Sequence, residues 1–135
     1  MLLRSCYMMV DSKIERIRQG GTPRVLDLFA GGGISLGFHS AGFKIIGAVE
    51  FDPKAAISHA RNFHPNTSEK MFQIHAKARD ITETDPRDLL QEYGLKGRID
   101  SHVDLIVGGP PCQAFARVGR ANKGDTIFNY HRLPF

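Results

Sequence analysis

The chain has 135 residues, 41% hydrophobic and 24% charged, a composition that fits one folded domain with a single core and excludes collagenous, low-complexity and disordered classes. No apolar run approaches the roughly 20 residues of a membrane span, and the opening MLLRSCYMMV is too short and is broken by Arg4; a cytoplasmic protein with no membrane partner is expected, nucleoid-associated if bacterial. The net charge of +4 permits a polyanionic partner, while Cys6 and Cys112 match neither a zinc spacing nor a thioredoxin pair, so no metal and no disulfide are expected.

A short helix is expected in the first 20 residues, with Asp11 or Ser12 as N-cap, Ile14 and Ile17 on one face, and Gly20-Gly21 as its stop. RVLDLFA, from Arg24 to Ala30, reads as a strand running into Gly31-Gly32-Gly33, after which Ile34, Leu36, Phe38 and Ala41 supply a helix face that Gly42 ends. Phe43 to Glu50 is a second strand. Asp52-Pro53, a cap followed by a proline in the first turn, starts a helix over KAAISHARNF. MFQIHAKARDI is read as a weaker third strand ending near Asp80, TDPRDLLQEYG as a helix with the same Asp-Pro start and a glycine stop, and HVDLIVGG as a fourth strand. The order βαβαβαβ predicts an α/β fold, a parallel sheet with helices on both faces, because parallel strands need crossover connections. From Ala114 onward the pattern stops, as in a long loop or a chain whose next element lies further on.

Four features fall at the carboxyl ends of predicted strands, where open α/β sheets build ligand sites. Glycines after the first strand let backbone N–H groups approach a negative group at a helix start, though they also serve a plain tight turn. They do not keep the dinucleotide register: from Gly31 and Gly33 the last glycine of G-x-G-x-x-G falls on Leu36, which disfavours a nicotinamide cofactor. Glu50 lies about 20 residues on, where an acid binds both hydroxyls of a ribose; a surface carboxylate is the alternative. Asp80 suits an adenine amino group or a solvated turn. Pro110-Pro111-Cys112-Gln113 follows the fourth strand. A lone cysteine commonly just fills space in a core, but the Gly-Gly-Pro-Pro run puts this thiol beyond a strand end. An adenosine with a carboxylate-bearing tail satisfies the first three features, with its base near Asp80 and the rings of Phe29 and Phe51. S-adenosylmethionine has that shape, and a thiol beside a methyl donor suggests nucleophilic activation of an inert acceptor.

LDLFAGGG, GAVEFDP, RDIT and GGPPCQAF, in this order, resemble the cofactor and nucleophile motifs of the DNA 5-cytosine methyltransferases; SLGFHSAGF and HARNFHP are similar to the segments between them. The resemblance covers about Arg24 to Phe115. It implies a Rossmann-like S-adenosylmethionine-dependent methyltransferase fold, here incomplete, with Phe29, Gly31, Gly33, Glu50, Phe51, Asp80 and Pro111 around S-adenosylmethionine and Cys112 as the catalytic nucleophile. The partner implied is double-stranded DNA with a flipped cytosine, and Gln113, Arg117, Arg120 and Lys123 in a mobile basic segment are the DNA-contact candidates. The chain then divides into an amino-terminal extension over 1–22, a cofactor-binding half-domain over 23–112, and a catalytic loop with a truncated end over 113–135.

Departures from the family pattern are specific. Aligned on both Phe29 and Ser35-Leu36-Gly37, the glycine loop is one residue short, and Ala116 stands where the family usually has serine. No Glu is followed by Asn and no Gln begins the family's arginine motif, so the chain is expected to be a truncated or partly represented enzyme, or one half of a split one with a complementary carboxy-terminal chain, and inactive alone. The readings kept open are the cofactor half of a DNA cytosine methyltransferase from a restriction-modification system, a non-catalytic module binding S-adenosylmethionine or a partner, a nicotinamide oxidoreductase, and an RNA cytosine methyltransferase.

Overall fold

Strand β1 (Arg24–Leu28) is the middle member of a three-stranded sheet of order β2-β1-β3, with β2 (Lys44–Val49) and β3 (Leu105–Gly108) both parallel to it. The computed structural model describes residues 2–31 and 33–110. Being central, β1 is covered on both faces, and Val25 to Leu28 are all buried. Alternation along a strand sends neighbouring side chains to opposite faces. Leu26 and Leu28 join a core with Leu89, Leu90 and Tyr93 of the α5 region (Pro86–Glu92). Asp27 points the other way, to Ser35 of α2 (Gly33–Ser40) and, through it, His59 of α3 (Pro53–Phe63). Helices therefore lie on both faces of an incomplete, Rossmann-like α/β sheet.

Local chemistry sets most boundaries. Asp52 caps α3 by accepting from Ala55 N (2.8 Å), and Asp85 caps α5 by accepting from Arg87 N (2.7 Å), each followed by proline in the first turn. Gly20, Gly42 and Gly94 follow α1 (Leu2–Arg18), α2 and α5 at positive φ.

Two expectations are corrected. Helix α1 runs over Leu2–Arg18, so Asp11 and Ser12 lie inside it. Nothing in the preceding residues breaks a helix, and the Ser12 hydroxyl donates back to Met9 O (2.8 Å) instead of capping. Of its expected apolar face Ile17 is half-buried, while Ile14 stays exposed. The larger correction concerns MFQIHAKARDI, which is not a strand. Its first part is helix α4 (Glu69–Ala76), capped by Ser68 accepting from Met71 N (3.3 Å); Met71, Ile74 and His75 recur at helical spacing on the inward side. The chain from Lys77 to Asp80 is extended but unladdered. One bond, Arg79 N–H to Glu50 O (2.7 Å), joins it to the end of β2. The order after β2 is accordingly α3, α4, α5, β3.

Tyr93 occupies part of the space a third strand would fill. Its hydroxyl donates to Ala48 O (3.0 Å) and accepts from Ala48 N (3.3 Å), satisfying both backbone groups of a buried β2 residue. The ring crosses Gly47 so closely that a Cβ there would overlap it. On the far side of the ring, His75 stacks at 4.5 Å between centroids and His64 stacks on His75 at 3.6 Å, with His59 6.1 Å beyond. Burial lowers the pKa of His59 to about 4, of His64 to about 3 and of His75 to about 4, with His75 adding to the first two shifts and Arg79 to the third.

Two outcomes follow. Gly47→Ala is expected to cost about 1–3 kcal/mol in urea unfolding, and to cost far less in a Tyr93→Ala background, where the overlapping ring is gone. Folded pKa values below the unfolded one mean that the unfolded chain binds more protons. Stability should thus be complete above the unfolded histidine value of about 6.5 and fall as pH drops toward 4, by up to about 1.4 kcal/mol per pH unit for each histidine. His75→Phe, which keeps the stack, should flatten that slope; an unchanged slope would show that the histidines do not set it.

Candidate functional site

The carboxyl ends of the strands meet around the end of β2. The Val49 carbonyl accepts from Phe29 N (2.9 Å) and Ala30 N (3.4 Å), and the Glu50 carbonyl accepts from Arg79 N (2.7 Å). Successive carbonyls of one strand end thus hold the glycine turn on one side and the Asp80 segment on the other. Backbone bonds bring the Phe29–Gly31 turn and Arg79, next to Asp80, to the edge where Glu50 and Phe51 follow β2.

Phe29 adopts φ +65, outside the range that side chains prefer, and Gly31 N–H closes a tight turn onto Phe29 O (2.7 Å). The Phe29 ring is half-buried against the core formed by Leu26, Leu28 and Val49, whereas Phe51 is 73% exposed. Gly33 opens α2. Glu50 does not cap α3, since Asp52 does; its Oε1 accepts from Asp52 N (2.8 Å). Asp80 Oδ1 accepts from both the N–H (2.8 Å) and the hydroxyl (2.7 Å) of Thr82, and these bonds hold its carboxyl below the usual carboxylate range. Both acids are thereby oriented as acceptors, which suits ribose hydroxyls and an amino group.

Strand β3 delivers the next segment to the same edge. A Cβ at Gly108 would run into the Leu28 carbonyl, so glycine allows the two strand ends to close up. Gly109 and Pro110 follow. The remaining expected site residues, Pro111, Cys112, Gln113, Arg117, Arg120 and Lys123, lie outside the described residues, as does the expected catalytic loop over 113–135.

Beneath the glycine turn is a set of side chains the motifs did not flag. The Ser35 hydroxyl lies 2.6 Å from Asp27 Oδ2 and 2.9 Å from His59 Nε2, and Asp27 and Ser35 are both fully buried. Burial raises the Asp27 pKa, and its bond from Ser35 works against the rise. The available signal was Asp27 itself, a single acid inside the otherwise apolar VLDLF, where an unpaired charge is costly.

Elsewhere, two grooves of about 260 and 650 Å³ share Lys13, Arg98 and Asp100 as lining residues and lie away from Phe29, Glu50 and Asp80. Among the described residues there is no cluster of three or more metal-ligating side chains, and no helix is long and apolar enough to cross a membrane.

Similarity to known proteins extends over most of the chain. The chain is 36% identical over 105 residues to the Type II methyltransferase M.XorII of Xanthomonas oryzae, covering 77% of this chain and 22% of that protein. It is 40% identical over 101 residues to the putative type II methyltransferase M.OihORF3336P of Oceanobacillus iheyensis, covering 73% and 20%. With the Type II methyltransferase M.HgiGI of Herpetosiphon aurantiacus it shares 38% identity over 104 residues, 75% of this chain and 68% of that one. The chain spans about a fifth of the length of the first two relatives. No solved structure matches it significantly. The model of the C-5 cytosine-specific DNA methylases matches residues 23–132, from the threshold of β1 through the Pro-Pro-Cys-Gln segment, and the chain belongs to that family.

Proposed function

We propose that this chain is the S-adenosylmethionine-binding part of a DNA cytosine-5 methyltransferase of a restriction-modification system, with Cys112 as its nucleophile. The observation that carries the reading is the convergence of the Phe29–Gly31 turn, Glu50 and Asp80 on the end of β2. Family membership supplies the reaction class.

The residues present fit the cofactor. The start of α2 offers N–H groups to a carboxylate, the Glu50 carboxylate accepts from ribose hydroxyls, and Asp80 and the exposed Phe51 ring suit the adenine. When bound, S-adenosylmethionine supplies the methyl group. Carbon 5 of cytosine is a poor nucleophile, which gives the thiol its purpose. In the proposed sequence Cys112 adds to carbon 6, making carbon 5 electron-rich; after methyl transfer a base removes the carbon-5 proton and the Cys112–carbon-6 bond breaks. The target base must leave the duplex first, and Gln113, Arg117, Arg120 and Lys123 are assigned to backbone contacts there. In this reading residues 23–112 carry the cofactor and 113–135 the catalytic loop, while the parts that grip cytosine and read sequence come from a further carboxy-terminal polypeptide.

Calorimetric titration tests the cofactor site: the chain should bind S-adenosylmethionine and not NAD, and Glu50→Ala should weaken binding at least tenfold. A preference for NAD would sink the assignment. For the nucleophile, the chain alone should transfer little or no labelled methyl group to DNA. Supplying a carboxy-terminal family chain should restore transfer, and Cys112→Ser should abolish it. Transfer to RNA but not DNA would reassign the substrate.

A further inference from the structure

We propose that Ser35 is a positioning residue, whose hydroxyl clamps the two ends of the glycine turn by bridging Asp27 of β1 and His59 of α3. The consequence for the methyl donor rests on the cofactor reading above; the clamp itself does not.

The chain leaves the sheet after Leu28 and returns as the first turn of α2, where Ser35 is the third helical residue. The eight-residue separation between Asp27 and Ser35 is closed by one short hydrogen bond, and the Phe29–Gly31 turn falls within it. A hydroxyl has one proton and two lone pairs. With that proton directed to Asp27 Oδ2, Ser35 accepts from His59 Nε2–H, which fixes the His59 tautomer and ties α3 to the same point. Asp27 Oδ1 has no partner among the described residues, so the carboxylate depends on Ser35.

The turn needs such support. Phe29 holds a left-handed backbone conformation despite its side chain, a state that persists only where its surroundings over-determine it. Two restraints are visible on the β2 side, the bonds from Phe29 N and Ala30 N to Val49 O. The Asp27–Ser35–His59 bridge is the restraint on the α2 side. It holds the turn and the first residues of α2 in place before a ligand arrives, so that binding loses less conformational freedom.

The test is amide hydrogen exchange on the full chain without ligand, beside calorimetry with S-adenosylmethionine. Ser35→Ala cuts the bridge but strands the Asp27 carboxylate. The paired change Asp27→Leu with Ser35→Ala removes both partners and leaves no buried charge. In both, exchange at Phe29 and Gly31 should quicken at least tenfold while Val25 and Leu26, in the same strand, keep their rates; the dissociation constant for S-adenosylmethionine should rise about tenfold. Wild-type exchange at Phe29 and Gly31 in either folded variant would overturn the clamp. So would loss of protection at Val25 and Leu26 in both, since Ser35 would then hold the core rather than the turn. Should the unaltered chain bind no S-adenosylmethionine, the cofactor reading fails and the exchange rates still decide the clamp.

Discussion

Tyr93 lying across β2 is the contact on which the arrangement turns. An outer strand has backbone groups that point away from the sheet, and burying them without partners is costly. Here a side-chain hydroxyl serves as the partner for both groups of Ala48. That one residue requires glycine at position 47, provides the surface on which His75 and His64 stack, and lies 5.6 Å from the Arg79 guanidinium, itself bonded to Glu92 at 2.6 Å. Arg79 in turn donates its N–H to the Glu50 carbonyl. The position of Glu50 and the approach of Asp80 are thus linked through Arg79 to packing several residues deep.

Much of this was legible in the sequence, and the reasons are local. Asp52-Pro53 and Asp85-Pro86 announce their helices because cap and proline act within one turn, and VLDLF announces a buried strand by apolar continuity; the same continuity marks LIVG as a strand, yet Leu105 and Ile106 are exposed. MFQIHA reads as a strand because it is short and apolar, and a helix of eight residues and a strand of similar length look alike at that scale. What decided the matter was tertiary. Tyr93, far along the chain, takes up the backbone bonding that a neighbouring strand would have supplied at Ala48. Family motifs located Glu50 and the glycine turn, yet they did not reveal the Ser35 bridge, which joins residues 8 and 24 positions apart and needs the fold to bring them together.

The buried polar groups divide by position. Ser35 and Asp27 lie under the glycine turn, in contact with the segment assigned to the cofactor. His64 and His75 lie behind them in the helical layer, kept neutral by burial and stacked as flat rings. His59 belongs to both groups, bonded to Ser35 on one side and facing His64 on the other. Acid therefore acts on the helical layer and, through His59, on the turn.

At the opposite end of the sheet Asp104, just ahead of β3, receives Arg24 of β1 through two guanidinium nitrogens and a backbone N–H, and Arg16 of α1 as well. Its side chain is only 6% exposed, which shields the pairing from salt far better than a surface ion pair. All three elements are pinned there, away from the turn, Glu50 and Asp80. The charged pairing and the turn therefore sit at opposite ends of the same sheet, so that a change at the turn leaves the bonds that join α1, β1 and β3 intact.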